Sequence, residues 1–241
     1  MEKVIRFKVS GLLNSFKYQE YRSYQPTYLA PPKTTLWGLI ANLLSLGEKE
    51  SYKIFSENKI EVAVIIEEIA GETKDLWKFK NVKEEGSITR RHKLYRSAYW
   101  IYLKTGSDFL YQDKLLSVLQ NPPNVFSLGM DDEVAYISDV GIVEVVPIVR
   151  EDIEIHSIFR EMPYKTFIKS RAGETIVFPR RVNQYINFSV PFDDMGRRVQ
   201  RKGLDSVDLI EFYGCKVVLE ETTKCWVDKT DASSEKNIIF Y

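Results

Sequence analysis

Histidine and cysteine are scarce, with two of each among the 241 residues. Cys215 and Cys225 lack the paired spacing of a zinc site, and an all-Cys/His centre would need every one of the four at unsuitable positions. No metal and no cofactor is expected, and the two thiols read as buried or idle groups in a reducing compartment. The chain has no GxxxxGK[ST], GxGxxG or GxSxG pattern, so nothing points to a P-loop, a dinucleotide fold or a nucleophile elbow. Long apolar runs are missing too. The longest, LWGLIANLLSL over 36–46, is interrupted by Gly38, Asn42 and Ser45 and is too short to span a bilayer. The opening MEKVIRFKVSG alternates polar and apolar residues and lacks the apolar block of a signal peptide, so a cytoplasmic location without membrane contact is expected. Net charge is also absent: 34 Lys and Arg balance 34 Asp and Glu. That counts against a protein that coats nucleic acid by bulk charge.

The balance conceals segregation. Residues 74–104 hold nine basic against three acidic side chains, and residues 160–202 hold ten against four. Residues 205–241 reverse the sign, with eight acidic against four basic. The basic stretches are either solvated strand edges kept soluble by lysine or patches for a polyanion.

Hydropathy patterning predicts an α+β protein. Ile5, Phe7 and Val9 alternate with Arg6 and Lys8 as in a strand that Gly11 closes. Residues 12–32, rich in aromatics and proline, read as a long ordered loop. Thr34 or Thr35 then caps a helix to about Leu46, with Leu36, Leu39, Ile40, Leu43 and Leu44 on one face. A short helix follows over 48–57, and 59–70 is a buried strand. Residues 71–97 form a projecting β-hairpin that returns as a strand, 109–119 is an amphipathic helix ended by Pro122 and Pro123, and 133–149 is one bent strand or two short ones. This order predicts a ferredoxin-like, RRM-like domain over 1–150 with a protruding hairpin thumb. Residues 151–241 are expected to form a smaller β-rich domain with strands near 153–159, 164–168, 175–178, 184–190 and 215–221, and one helical stretch near 204–213.

Two segments carry chemistry. Over 16–38, Phe16, Tyr18, Tyr21, Tyr24, Tyr28 and Trp37 alternate with Arg22 and Lys33. Flat rings accept unstacked bases and cations neutralise phosphates; equally, the rings could pack the loop onto the sheet. The Pro31-Pro32-Lys33-Thr34-Thr35 run would expose backbone N–H groups at a helix N-terminus, an anion site. The hairpin carries Lys78, Lys80, Lys83, Arg90, Arg91, His92, Lys93 and Arg96, which suit a single-stranded backbone. His92 beside Lys93 has the chemistry of a general base toward a ribose 2′-hydroxyl, or is a surface residue. His156 reads as structural. Asp131, Asp132 and Glu133 form either a divalent-ion site or, as the better explanation, a capped turn. Gly196-Arg197-Arg198 and Arg201-Lys202-Gly203 make a second basic loop for the same polyanion or a protein partner.

The block Tyr28-Leu29-Ala30-Pro31-Pro32-Lys33-Thr34-Thr35-Leu36-Trp37-Gly38-Leu39-Ile40-Ala41, after a strand ending in Ser10-Gly11 and then Phe16, strongly resembles the N-terminal signature of the fifth CRISPR-associated (Cas) protein family of the repeat-associated RNA-binding superfamily. The Arg-rich 90–96 segment running into Tyr99-Trp100-Ile101-Tyr102, and Phe126-Ser127-Leu128-Gly129-Met130, add to the likeness, which covers about 1–145. The resemblance implies a Cascade subunit of a type I system that holds the 5′ handle of the CRISPR RNA with a palm and a thumb. It implies contact with the backbone subunit (seventh Cas family) and the large subunit (eighth). The form of the block is closest to the I-A/I-B-type branches, which leave RNA processing to a separate endonuclease, so no catalysis is expected. The alternative is a metal-independent endoribonuclease using His92 and Lys93. Residues and resemblance together assign RNA contacts to Gly11, Tyr21, Arg22, Tyr24, Tyr28, Lys33, Thr34, Lys78, Lys80, Arg90, Arg91, His92, Lys93 and Arg96.

Overall fold

Alternation of apolar side chains makes the first element a strand, β1 (Glu2–Asn14), with Ile5, Phe7 and Val9 all buried. The computed structural model describes residues 1–18, 24–57, 60–80, 86–106, 109–161, 179–189, 202–230 and 235–241. The chain continues through β2 (Tyr24–Gln25), α1 (Lys33–Leu44), α2 (Glu48–Glu57), β3 (Glu61–Lys80), β4 (Gly86–Lys104), α3 (Gln112–Gln120) and β5 (Ala135–Arg150). Then follow β6 (Ile153–Ile155), β7 (Phe159–Arg160), β8 (Arg180–Ser189), β9 (Lys202–Glu211), β10 (Val217–Leu219), β11 (Thr223–Asp228) and β12 (Lys236–Ile238). The described residues are thus mixed α+β, mostly strand, with three helices.

One seven-stranded sheet organises the molecule. Its order is β12-β11-β5-β1-β4-β2, with β3 along the other edge of β4. All neighbours are antiparallel except β2, which runs parallel to β4 beyond the end of β1. A three-stranded sheet, β7-β9-β8, and a two-stranded one, β10-β6, complete the strands. The sheet crosses residue 150, where two domains were expected to meet: β11 pairs with β5 from Thr223↔Arg150 to Asp228↔Val145.

The two faces of the sheet are buried differently. On one face Ile5, Phe7, Val9, Val62, Val64, Tyr99 and Ile101 pack against Leu36, Ile40 and Leu43 of α1 and Leu115 and Leu119 of α3. On the other, Val4, Ala63, Ile65, Tyr102 and Val145 pack against Trp226, Ile238 and Phe240. The chain after β12 bridges the sheet's two outer strands. Tyr241 exchanges backbone hydrogen bonds with Val62 of β3 at 2.9 and 3.1 Å, and the Ile158 N–H donates to the Val64 carbonyl at 2.9 Å.

Several sequence expectations need correction. Of the 204–213 stretch expected to be helical, 204–211 is strand, because β9 lies between β7 and β8 and both its faces are covered: Leu209 joins the helix-side core and Ile210 a third cluster. β1 runs past Gly11 to Asn14, since Leu13 and Asn14 still find partners in Tyr95 and Leu94. α1 starts at Lys33 with Pro32 as its N-cap, and the Pro32 carbonyl accepts from the Thr35 and Leu36 N–H groups; no threonine side chain caps it. It stops at Ser45, whose φ of 57° cannot continue a helix. The strands expected at 164–168 and 175–178 lie outside the described residues.

Candidate nucleic-acid interface

β3 and β4 pair over their whole length, from Glu61↔Lys104 to Lys80↔Gly86, and so extend well beyond the end of β1. The pleat inverts along β4. Tyr99 and Leu94 both reach the helix-side core although five residues apart, which a uniform strand would place on opposite faces. Between them Arg96 has a φ of 47°, the left-handed region that β-carbon sterics disfavour.

Beyond that inversion the cross-strand pairs Lys74↔His92, Leu76↔Arg90 and Lys78↔Ile88 share one face. Lys74, Lys78 and Arg90 are exposed, and among the described residues none of them makes an ion pair. Leu76 and Ile88 stand 69% and 64% exposed between them. β2 lies against this stretch, Tyr24 opposite Arg90 and Gln25 opposite Arg91. The half-exposed Tyr24 ring meets His92 edge-on, with centroids 5.0 Å apart. The face therefore combines three cations, one aromatic ring and two aliphatic side chains.

The reverse face of the hairpin carries an ion network. Arg91 and Lys93, expected at the surface, are 3% and 6% exposed. The Arg91 Nη2 lies 3.4 Å from Asp75 and 3.5 Å from Asp132, and its guanidinium sits 4.7 Å from the Trp77 ring centroid. The Lys93 ammonium is 3.4 Å from both Asp132 and Glu133. Glu133 is the capped turn, its carboxylate accepting from the backbone N–H groups of Ser15 (2.6 Å) and Met130 (3.0 Å). His92 and Lys93, adjacent in a strand, thus point to opposite faces.

The signature block from Tyr28 onward is buried rather than presented. Tyr28 stacks on Tyr18 at 3.9 Å, and its hydroxyl donates to the Asn183 carbonyl at 2.6 Å. The Leu29 and Ala30 N–H groups donate to the fully buried Glu211, at 3.0 and 3.3 Å. Lys33 donates to the Tyr241 carbonyl at 2.9 Å, and burial, reinforced by Arg160, lowers its pKa to about 8. With Pro31, Pro32 and Lys33 buried and Thr34 half-buried, the expected anion site at the α1 N-terminus is not open to solvent. The polar atoms of Tyr28 and Lys33 are thus held by backbone carbonyls.

Gly11 and Arg96 meet elsewhere, in a shallow cleft of about 390 Å³ on the sheet face away from the helices, with Ser10, Leu12, Glu68, Ala98 and Tyr136. Lys80 ends β3 opposite Gly86. Tyr21, Arg22, Lys83 and the basic loop 196–201 lie outside the described residues. Sequence reasoning missed Lys74, Leu76 and Ile88, although the Lys74-x-Leu76-x-Lys78 alternation was legible. It also missed Glu211, for which no local signal exists. His156 is structural as expected: its Nδ1 accepts from the Asn237 N–H at 3.0 Å, and burial lowers its pKa. Cys215 and Cys225 are free thiols, and burial pushes Cys225 up to about 11. Among the described residues no cluster of metal-ligating side chains occurs, and no helix is long and apolar enough to cross a membrane.

No protein-family model and no curated protein matches the sequence. Solved structures do. A CRISPR protein from Archaeoglobus fulgidus superposes with a TM-score of 0.53 at 14% identity, over 98% of each chain. A chain of a CRISPR RNA-guided surveillance complex superposes with a TM-score of 0.50 at 11% identity, over 91% of each chain. The fold is therefore one that CRISPR-associated proteins use, along essentially the whole length of the chain.

Proposed function

We propose that the chain is a non-catalytic RNA-binding subunit of a type I CRISPR surveillance complex of the Cascade kind, similar to the fifth Cas family and closest to its I-A/I-B-type branches. In this reading it holds the 5′ handle of the CRISPR RNA and contacts the backbone and large subunits in the cytoplasm. Three lines support it: the signature block, the CRISPR-protein fold, and, leaving aside β2 and α2, the order β1-α1-β3-β4-α3-β5 with strands arranged β5-β1-β4-β3, an order in keeping with a ferredoxin-like palm. The β3–β4 extension serves as the thumb. The observation that carries the reading is the pairing of β2 with β4, which sets Tyr24 beside Arg90 and joins loop and hairpin into one surface. A single strand laid there would pair phosphates with Lys74, Lys78 and Arg90 and rest a base on Tyr24.

The opposed directions of His92 and Lys93 favour binding over cleavage, since one scissile phosphate cannot meet both side chains. The test is the double variant Lys78→Glu, Arg90→Glu, titrated with a labelled RNA carrying the repeat-derived handle. Reversing two exposed cations should weaken binding at least tenfold and flatten the salt dependence by about 1.4 in log–log slope, with an unchanged melt. Unchanged affinity would remove the hairpin from the interface. Incubating wild type and His92→Ala with a labelled repeat RNA in EDTA decides the enzymatic question: product from wild type alone would replace this reading with the endoribonuclease.

A further inference from the structure

The exposed face leaves unused the cations behind it. Thr89, Arg91 and Lys93 lie on the reverse side of β4. Buried guanidinium groups ordinarily make short, often bidentate bonds to carboxylates. Arg91 does not: only Nη2 has carboxylate partners, at 3.4 and 3.5 Å, while Nε and Nη1 have no hydrogen-bond partner at all. The Thr89 hydroxyl, on a residue with no exposed surface, is also unpartnered. Lys93 reaches Glu133, but that carboxylate already serves Ser15 and Met130.

A single oxygen, Asp132 Oδ2, lies within 3.5 Å of both Arg91 Nη2 and Lys93 Nζ. Its side chain is 63% exposed. Two buried cations, one of them with two unpartnered donors, therefore meet water at one exposed carboxylate on a turn. Burial opposes charge on Asp132, but Lys93 and Arg91 hold its carboxyl below the ordinary range, so the carboxylate stays ionised at neutral pH. A phosphodiester oxygen has the same charge, and the remaining oxygens of the group can take up the idle guanidinium nitrogens.

We infer that Arg91 and Lys93 form a phosphate site for single-stranded RNA, and that Asp132 occupies it as a displaceable stand-in until RNA arrives. This rests on the RNA-binding reading above and adds a contact separate from the Tyr24–Arg90 face. Asp132 then tunes affinity downward, because each RNA must displace it.

The experiment compares Asp132→Asn with Asp131→Asn, the latter an exposed neighbour that makes no ion pair among the described residues. Both remove one negative charge; only the first removes it from the ion pairs with Arg91 and Lys93. The readouts are binding of a short labelled single-stranded RNA across a salt series, and the rise in melting temperature with inorganic phosphate. Asp132→Asn should bind RNA about tenfold tighter than wild type, with a slope steeper by about 0.7, the value of one added phosphate contact. Asp131→Asn should change affinity less than about twofold, as expected of a screened surface charge. Equal effects of the two substitutions, or weaker binding by Asp132→Asn, overturn the inference. So does loss of cooperative melting in Asp132→Asn, which would make the carboxylate a structural staple. A gain for inorganic phosphate without a gain for RNA overturns the assignment to RNA. Wild type that fails to bind RNA refutes the preceding section as well, whereas wild type that binds without any gain in Asp132→Asn refutes this inference alone.

Discussion

Glu211 shows how a single buried acid can set the pH response of the molecule. It has no exposed surface, and burial pushes its pKa up to about 7 against the opposing pull of the Leu29 N–H, Arg180 and the Ala30 N–H. In the unfolded chain the same group titrates near 4.5. Between those values the folded state holds a proton that the unfolded state has released, so this group makes stability fall as pH rises from about 4.5 to about 7, and contributes no further slope above. His156, lowered by burial, acts in the opposite direction over part of that window, because the unfolded state takes up its proton first. The contribution of Glu211 is isolated by difference. Relative to wild type, Glu211→Gln should gain roughly 1–3 kcal/mol between pH 5 and pH 7 and then hold constant. Chemical denaturation at a series of pH values measures this, and a gap independent of pH would show that Glu211 is charged throughout.

At the scale of the element, the hairpin depends on its root. β1 and β4 turn over together near Gly11 and Arg96, and there the Asn14 side chain, fully buried, donates to the Leu128 carbonyl at 2.7 Å and accepts from the Ser97 hydroxyl at 2.9 Å. A β-carbon on Gly11 would collide with the Asn14 amide. Gly11→Ala should therefore cost roughly 1–3 kcal/mol through lost buried hydrogen bonds. In the folded fraction, RNA affinity should fall far less than in the Lys78→Glu, Arg90→Glu variant. Denaturant titration and RNA binding on the same sample separate the two effects; a full loss of binding with unchanged stability would return Gly11 to the interface. The hairpin was legible in the sequence because its strands alternate and its charge is concentrated. Which arginine faces water was not, since that depends on the pleat inversion at Arg96 and on a turn at 131–133 about forty residues away.

At the scale of the whole molecule, β11 and β12, both after residue 150, join the large sheet, while the other late strands form the two smaller ones. Phe240 packs edge-on to Trp226 at 5.2 Å over a core that includes Val4, Tyr102 and Val145, while Tyr241 and Ile158 hydrogen-bond to β3. Phe240→Ala should cost roughly 3–5 kcal/mol, the usual range for emptying an aromatic site in a core. Urea unfolding followed at both tryptophan and amide signals should remain a single transition; two separated transitions would mean that the C-terminal strands fold as an independent unit.

The sequence by itself determined the α+β class, the amphipathic helices, the long hairpin and the signature block, because each is written in local periodicity or in a contiguous run of residue types. Tertiary structure alone decided the roles within them. It buried Lys33 and Tyr28, turned Arg91 and Lys93 onto a carboxylate, made 204–211 strand, and brought Glu211 and Tyr241 to residues about 180 and 208 positions earlier. Burial and pairing are properties of what lies opposite in space, and strand partners so distant along the chain leave no mark in any local pattern.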